Sequence, residues 1–161
     1  MIDFQTADLC DAHEAIVSVA APMFINYGGQ RCFSGRIVTL KVFEDNSFVA
    51  QSVAASGDGQ VLVVDAGGSL RCSMVGDKVA RAACDNGWAG MLIFGAIRDR
   101  RTIADIPIGL QALGTVPQRS IKGGVGQRDL PVHFADVTFT PGHFVYCDED
   151  GVIVAPRNIL S

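Results

Sequence analysis

The sequence predicts an α/β fold with a buried mixed sheet, in a single domain spanning residues 1–161. Three observations predict it. Two apolar runs, Val61 to Val64 and Gly90 to Phe94, lack the alternation of a half-wetted strand and suit strands covered on both faces. Between them, Asp77 to Asn86 reads as an amphipathic helix. Val79, Ala80, Ala83 and Cys84 share one face, Lys78, Arg81 and Asp85 lie elsewhere, and Gly87 stands where a glycine ends a helix. Strand, helix, strand within about 35 residues is a βαβ unit, whose crossover is right-handed. After Arg101 the chain turns to short β segments punctuated by Gly and Pro, which makes the sheet mixed rather than parallel.

Taken in order, the first thirty residues are irregular or briefly helical, with Thr6 a candidate N-cap for Ala7 to His13, and they end in the turn Asn26-Tyr-Gly-Gly29. Gly35 to Phe43 is rich in β-branched residues and reads as a strand. Asn46 is placed to cap a helix through Ser47 to Ala55, closed by Gly57-Asp58-Gly59. The expected later strands are Ile106 to Leu113, Pro131 to Phe134, Val137 to Phe139, His143 to Tyr146 and Val152 to Ala155. Gly123-Gly-Val-Gly126 follows no strand-to-helix signal and reads as a turn or mobile loop, not a phosphate loop.

Composition excludes several classes of function. The longest apolar runs are about half a membrane span and are interrupted by charges or glycines, so no membrane segment is expected. The N-terminus lacks the basic and apolar regions of a secretory signal, and the expected compartment is the cytoplasm. Five scattered cysteines without a CxxC pair point to reduced thiols and away from zinc. A net charge of −4 gives no field for gripping nucleic acid directly. His13, His133 and His143 form no ligand pair and read as surface or structural residues. Trp88 is expected to pack under the helix end, and Phe24 and Tyr27 to serve either a core or a subunit interface.

Chemistry concentrates at the ends of the two apolar runs. Asp77 opens the helix after Gly76, and Arg98-Asp99 follows the second run after twenty intervening residues. At this spacing the three are either solvated charges at helix and strand ends or the parts of a site for a cation and a small anionic keto acid. In the second reading the turn Ser73 to Lys78 presents helix N-terminal N–H groups to an anion, and Gly76 keeps a side chain out of the way. Arg98 forks across a carboxylate and the adjoining keto oxygen, and Asp99 offers a hard oxygen ligand to Mg²⁺ or Mn²⁺. A cation and a guanidinium on a pyruvyl group stabilise the enolate left by C–C cleavage, in retro-aldol reaction and decarboxylation alike.

The chain also resembles the RraA-like family, which contains the regulator of ribonuclease E activity and the class II 4-hydroxy-4-methyl-2-oxoglutarate aldolases. The resemblance rests on Asp8-Leu-Cys-Asp11, Phe43-Glu-Asp-Asn46, Val61-Leu-Val-Val-Asp-Ala-Gly-Gly-Ser69, Gly109-Leu-Gln-Ala-Leu113, Val137-Thr-Phe-Thr-Pro-Gly142 and Asp150-Gly-Val-Ile-Val154. It implies a β/β/α fold of the swivelling-domain type, assembled as a ring-shaped homotrimer with active sites between subunits. It further implies that Gly76, Asp77, Lys78 and Val79 line the substrate with backbone groups, that Arg98 binds its carboxylate and keto oxygen, and that Asp99 is the metal ligand. Aldolases of the family carry Asp, twenty residues, then Arg-Asp, as here. The ribonuclease-regulating relative lacks the aspartate after the arginine.

The expected function is therefore a divalent-metal-dependent lyase that cleaves 4-hydroxy-4-methyl-2-oxoglutarate to pyruvate and decarboxylates oxaloacetate through a metal-stabilised pyruvate enolate. The alternative is a trimeric regulator that binds and inhibits ribonuclease E, or an RNA helicase, without catalysis. Longer aldolases have an acidic C-terminal extension reaching a neighbour's metal, whereas this sequence ends at Ile159-Leu-Ser161, so water or one of Asp148, Glu149 and Asp150 is expected there. A metal-bound water held by Asp77 is the expected proton acceptor. A methyltransferase is not expected, since no glycine-rich S-adenosylmethionine loop is followed by an acidic ribose-binding residue.

Overall fold

The computed structural model describes residues 3–160; Met1, Ile2 and Ser161 lie outside the described residues. The elements run α1 (Thr6–Ala12), β1 (Ser18–Val19), β2 (Ile25–Asn26), β3 (Phe33–Lys41), α2 (Ser47–Ala54), β4 (Val61–Asp65), β5 (Ser73–Val75), α3 (Asp77–Asp85), β6 (Gly90–Ile97), α4 (Arg100–Ile103), β7 (Gly109–Thr115), β8 (Gln127–Arg128), β9 (Val132–Phe134), β10 (Val137–Phe139), β11 (Phe144–Cys147) and β12 (Val152–Ala155). The main sheet orders its strands β1-β12-β11-β3-β4-β6-β7-β2, with β5 beside β6 and β8 beside β3. The neighbours β3, β4, β6 and β7 are parallel, and β11, β12, β1 and β2 are antiparallel to their partners, so the sheet is mixed.

Alternation along the central strands builds two of the three cores among the described residues; the third gathers Leu9, Tyr146, Ile153, Ala155 and Ile159. Leu62, Val64, Met91 and Ile93 face Val49 and Val53 of α2 and Ala80 and Ala83 of α3. Val61, Val63 and Leu92 point the other way, to Val132, Phe134, Val137 and Phe139 of the β9–β10 hairpin. All five residues of β4 are buried, which is why that run shows no polar alternation. The layering is thus β hairpin, sheet, helices. The small side chains of Ala80 and Ala83 leave no exposed surface and let α3 sit close on the sheet.

The sheet is strongly curled. β1 and β2 lie at its opposite ends, yet Val19 and Ile25 are six residue steps apart. Six steps reach at most about 21 Å, whereas seven strand spacings laid flat cover about 34 Å. The strands therefore wrap around the second core, and Ala20 to Phe24 nearly closes the ring. Inside it Phe94 and Phe139 stack on Phe134, with Phe24 edge-on. Gly90 and Gly109, paired across β6 and β7, make the slot for Phe33: a Cβ on either would fall 2.3 or 2.1 Å from its ring.

Several expectations shift. The first helix begins at Thr6 itself, whose hydroxyl donates to Asp148 rather than capping. The strand expected over Gly35 to Phe43 is Phe33–Lys41, and that expected over Ile106 to Leu113 is Gly109–Thr115. Asn46 sits before α2 but makes no cap bond; Asp45 accepts the Ser47 N–H at 2.9 Å instead. Ser73–Val75, expected as part of a turn, pairs with β6, and the basic stretch after Asp99 is a short helix. Trp88 is buried beside the end of α3 and donates its indole N–H to Ala55 O; Tyr27 is buried too. All five cysteines are free thiols. Among the described residues no helix is long and apolar enough to cross a membrane.

Candidate active site at the carboxyl ends of β5 and β6

β5 and β6 run parallel, so the segments after Val75 and Ile97 emerge side by side. Gly76 takes an extended conformation (φ −114°, ψ −172°) as the N-cap of α3, and Asp77 begins the helix. Arg98 is fixed by its own backbone, whose N–H donates to Val75 O at 3.0 Å. Asp99 then adopts a left-handed conformation (φ 62°), a region where Asp is among the better tolerated L-residues, and this turns its side chain back toward α3.

The result is a compact charged cluster. Asp99 Oδ2 accepts the N–H of Asp77 at 3.1 Å and lies 4.0 Å from Arg98 Nε. Asp77 Oδ1 accepts the N–H of Lys78 at 2.9 Å, so two N–H groups of the helix's first turn are held by carboxylates. Arg98 Nη1 donates to the carbonyl of Pro117 at 3.4 Å. Both Arg98 and Asp99 are 39% exposed, open enough to meet a ligand. A Cβ at Gly76 would fall 2.8 Å from Asp99 Oδ2, so only glycine lets the carboxylate come this close. A groove of about 360 Å³ runs from Asp77 and Lys78 along α3 to Arg81 and Asp85, with Thr102 and Ile106 opposite.

The structure thus brings Gly76, Asp77, Arg98 and Asp99 together, with Lys78 and Val79 next along the helix. It does not bring the acids of the β11–β12 turn there. Cys147 pairs with Phe33 at the start of β3, the opposite end of the sheet from Arg98, and the Asp148 carboxylate is taken up by Thr6, Asp150 N–H and Gly151 N–H. Within one chain Asp148, Glu149 and Asp150 stay remote from Asp99. Gly67-Gly68 follows β4 but leads to β5 and opens no helix, so it forms no dinucleotide cradle.

Sequence reasoning missed Pro117. It belongs to the segment 116–126, which crosses the carboxyl ends of the strands. Val116 N–H donates to Ile97 O, Gln118 O accepts from Ser73 N–H, and Ile121 exchanges backbone bonds with Glu44 and Asn46. Nothing in the local pattern announces a carbonyl aimed at an arginine nineteen residues away.

Comparison with known proteins places the chain. The family profile described as RraA-like, Aldolase/RraA, matches residues 6–154. A protein of Aromatoleum aromaticum provisionally named 4-hydroxy-4-methyl-2-oxoglutarate aldolase is 54% identical over 159 residues, covering 99% of this chain and 100% of its own. A crystal structure from Geobacillus kaustophilus, described as an S-adenosylmethionine:2-dimethylmenaquinone methyltransferase, superposes with a TM-score of 0.95 at 46% identity and 98% coverage of both chains. That of the RNA-processing inhibitor RraA from Thermus thermophilis superposes at 0.93 with 41% identity, over 97% of this chain and 94% of the other. On sequence and fold together, this protein belongs to the RraA-like family of aldolase/RraA proteins.

Proposed function

We propose that this protein is a divalent-cation-dependent lyase of small 2-oxo acids, which cleaves 4-hydroxy-4-methyl-2-oxoglutarate to pyruvate and decarboxylates oxaloacetate. The observation that carries the reading is the meeting of Arg98 and Asp99 with the first turn of α3 over Gly76. The provisional name of the 54% identical relative supports the aldol part.

The donor set fits a hard cation. Asp99 Oδ1 takes no hydrogen bond among the described residues, and the side chain is partly open to water. One carboxylate completed by water is a ligand set that Mg²⁺ or Mn²⁺ accepts. Asp99 is the residue that would hold the ion, a single-carboxylate site, since among the described residues no group of three or more His, Cys, Asp or Glu side chains is gathered to hold a metal; its role follows the resemblance to the family's aldolases. When bound, the cation supplies Lewis acidity to the oxygens of a pyruvyl group.

The chain's own residues do the rest. Arg98 forks across the substrate carboxylate and keto oxygen. As the C3–C4 bond breaks, its electron pair moves toward the keto oxygen, where the guanidinium meets the growing charge. Asp77 holds the water that takes the proton from the C4 hydroxyl; C3 is then protonated, and two 2-oxo acids leave. In oxaloacetate the same electron flow expels carbon dioxide, and no hydroxyl proton has to be removed. The working unit is a homotrimeric ring with clefts between subunits. Two separate apolar groups support it: Val19, Met23 and Ile25 beside the closing segment, and Phe43, Leu70, Ile121 and Val125 on the loops around Glu44. A head-to-tail ring requires two different faces of this kind.

Pyruvate release from both substrates, with Mg²⁺ and with chelator, tests the proposal in wild type and Asp99→Ala. Metal-dependent turnover lost in the variant is expected. Turnover that survives chelation defeats the lyase reading, and turnover of oxaloacetate alone narrows it. A second reading is favoured by the likeness to the RNA-processing inhibitor: a regulator that masks ribonuclease E by contact. In that case inhibition persists in Asp99→Ala. The methyltransferase description of the other relative is not carried over, because the turn after β4 opens no helix for a nucleoside cofactor.

A further inference from the structure

The groove between α3 and α4 leads out of the site just described. Both of its walls start there: α3 opens at Asp77, and Asp99, which accepts the Asp77 N–H at 3.1 Å, is the N-cap of α4. Asp77, Arg81 and Asp85 recur at four-residue steps, so they form one stripe along the groove, with Lys78 and Ala82 beside them and Thr102 of α4 opposite.

Arg81 is uncommitted. Ion pairs among the described residues take Arg31, Lys41, Arg71 and Arg98, and aromatic rings take Arg36, Arg71, Arg100 and Arg128. The Arg81 guanidinium has no such partner among the described residues, although Asp77 and Asp85 stand one turn to either side. Long helical side chains lean toward the helix N-terminus, a lean that carries this charge back over the turn of Asp77 and toward the site.

The substrate of the aldol reaction calls for a cation at this range. With the C1 carboxylate and keto oxygen on Arg98, 4-hydroxy-4-methyl-2-oxoglutarate carries a second carboxylate at C5, about 5 Å from the first along an extended carbon chain. One helical turn, about 5.4 Å, separates Asp77 from Arg81. Two acids also face the groove. Asp77 already accepts the Lys78 N–H at 2.9 Å, and Lys78 and Arg81 match Asp77 and Asp85 charge for charge.

We propose that Arg81 is the specificity residue of the site: its guanidinium receives the second carboxylate of the substrate and so selects dicarboxylic 2-oxo acids over monocarboxylic ones. This role rests on the lyase reading above and deepens it. On C3–C4 cleavage the held carboxylate departs with the second pyruvate, so Arg81 meets the same group before and during the reaction. It therefore acts on KM more than on kcat.

The test pairs two substrates that differ only at that end. 4-Hydroxy-4-methyl-2-oxoglutarate cleaves to two pyruvates; 4-hydroxy-4-methyl-2-oxopentanoate, with a methyl group in place of the C5 carboxylate, cleaves to pyruvate and acetone. Pyruvate release with Mg²⁺ is measured for wild type, Arg81→Gln and, as a control on the exposed 116–126 segment, Lys122→Gln. Arg81 is exposed and glutamine is a good helix former, so the variant keeps the fold, and its Tm is measured alongside. Expected are a wild-type preference for the dicarboxylate, a KM for it raised roughly tenfold in Arg81→Gln with kcat within about twofold, and an unchanged kcat/KM for the monocarboxylate. Added salt narrows the wild-type preference, since an exposed pair is screened. Equal losses on both substrates, or none on either, overturn the inference. A loss on the dicarboxylate confined to Lys122→Gln moves the second carboxylate to the 116–126 segment and overturns it too. A wild type that cleaves neither hydroxy acid removes the aldol reading and this role with it, and is told apart because the unmodified protein itself is then silent.

Discussion

Adding one methyl group at Gly76 isolates the geometry of the site from the stability of the fold. The backbone there, at φ −114° and ψ −172°, is open to alanine, so Gly76→Ala adds no torsional strain. The new Cβ falls 2.8 Å from Asp99 Oδ2, 3.6 Å from Arg98 Nε and 3.7 Å from Arg98 Cγ. A carbon and an oxygen sit comfortably at about 3.4 Å or more, so the carboxylate must retreat by roughly half an ångström and lengthen its 3.1 Å bond from Asp77 N–H. Because Asp99 is partly exposed it can do so at small cost. Alanine is also a poorer N-cap than glycine, and together these take about 1 kcal/mol from stability, a fall in Tm of about 2–4 °C. Catalysis is less forgiving. A displacement of this size in a positioned group costs about 10- to 100-fold in kcat/KM, or about 1.4–2.7 kcal/mol of barrier. Pyruvate release at varied Mg²⁺, beside thermal unfolding, reads both quantities, and the concentration of Mg²⁺ for half-activation is expected to rise as well. Full kcat/KM in a variant with normal Tm would show that Asp99 does not act where it touches α3, and the site would have to be sought elsewhere.

Other outcomes follow from the same geometry. Asp77→Asn keeps the helix cap region but removes the carboxylate that holds the proton-accepting water; aldol cleavage should fall by more than about tenfold and oxaloacetate decarboxylation by much less, and undiminished cleavage removes Asp77 from the mechanism. Burial opposes the charge on Asp45, but the bonds from Ser47, Val125 and Gly123 hold its carboxyl below the ordinary value in the folded protein, so its contribution to stability is complete above the usual aspartate range and disappears as pH falls through the lowered value. Chemical denaturation between about pH 4 and 2 should accordingly show a shallower loss of stability in Asp45→Asn than in wild type, and identical slopes would contradict the assignment. Gly109→Ala drives a methyl group into the Phe33 ring and should cost about 1–3 kcal/mol by overpacking, seen as a lowered Tm with kcat of the folded fraction unchanged.

The legible parts of the fold were those whose signal is local. Val61 to Val64 and Gly90 to Phe94 declared buried strands because burial on both faces demands unbroken apolar residues, and Gly87 marked the end of α3 because its φ of 79° suits glycine. Asp77, Arg98 and Asp99 were legible because the carboxyl ends of neighbouring parallel strands lie side by side, and the structure does bring them into contact. What escaped was tertiary. β5 has three residues and begins with Ser73, too short for any period, and exists because β6 offers it an edge. The glycine-rich stretch after Lys122 read as a turn or mobile loop because its acceptor, Asp45, lies 78 to 80 positions earlier. The same distance hid the role of Asp45, which stands beside an asparagine better suited by habit to capping.

The curled sheet also dictates the order in which the chain assembles. Thr6 places its amide and hydroxyl on Asp148, 142 positions later, and Ser18 lies across from Val154. On the ribosome the opening segment therefore emerges long before its neighbours exist and must stay unattached until nearly the last strand is made. Such distant pairings slow a folding reaction. The parallel strands and α3, whose contacts are nearer in sequence, can consolidate first, and Ala20 to Phe24 is the final stitch.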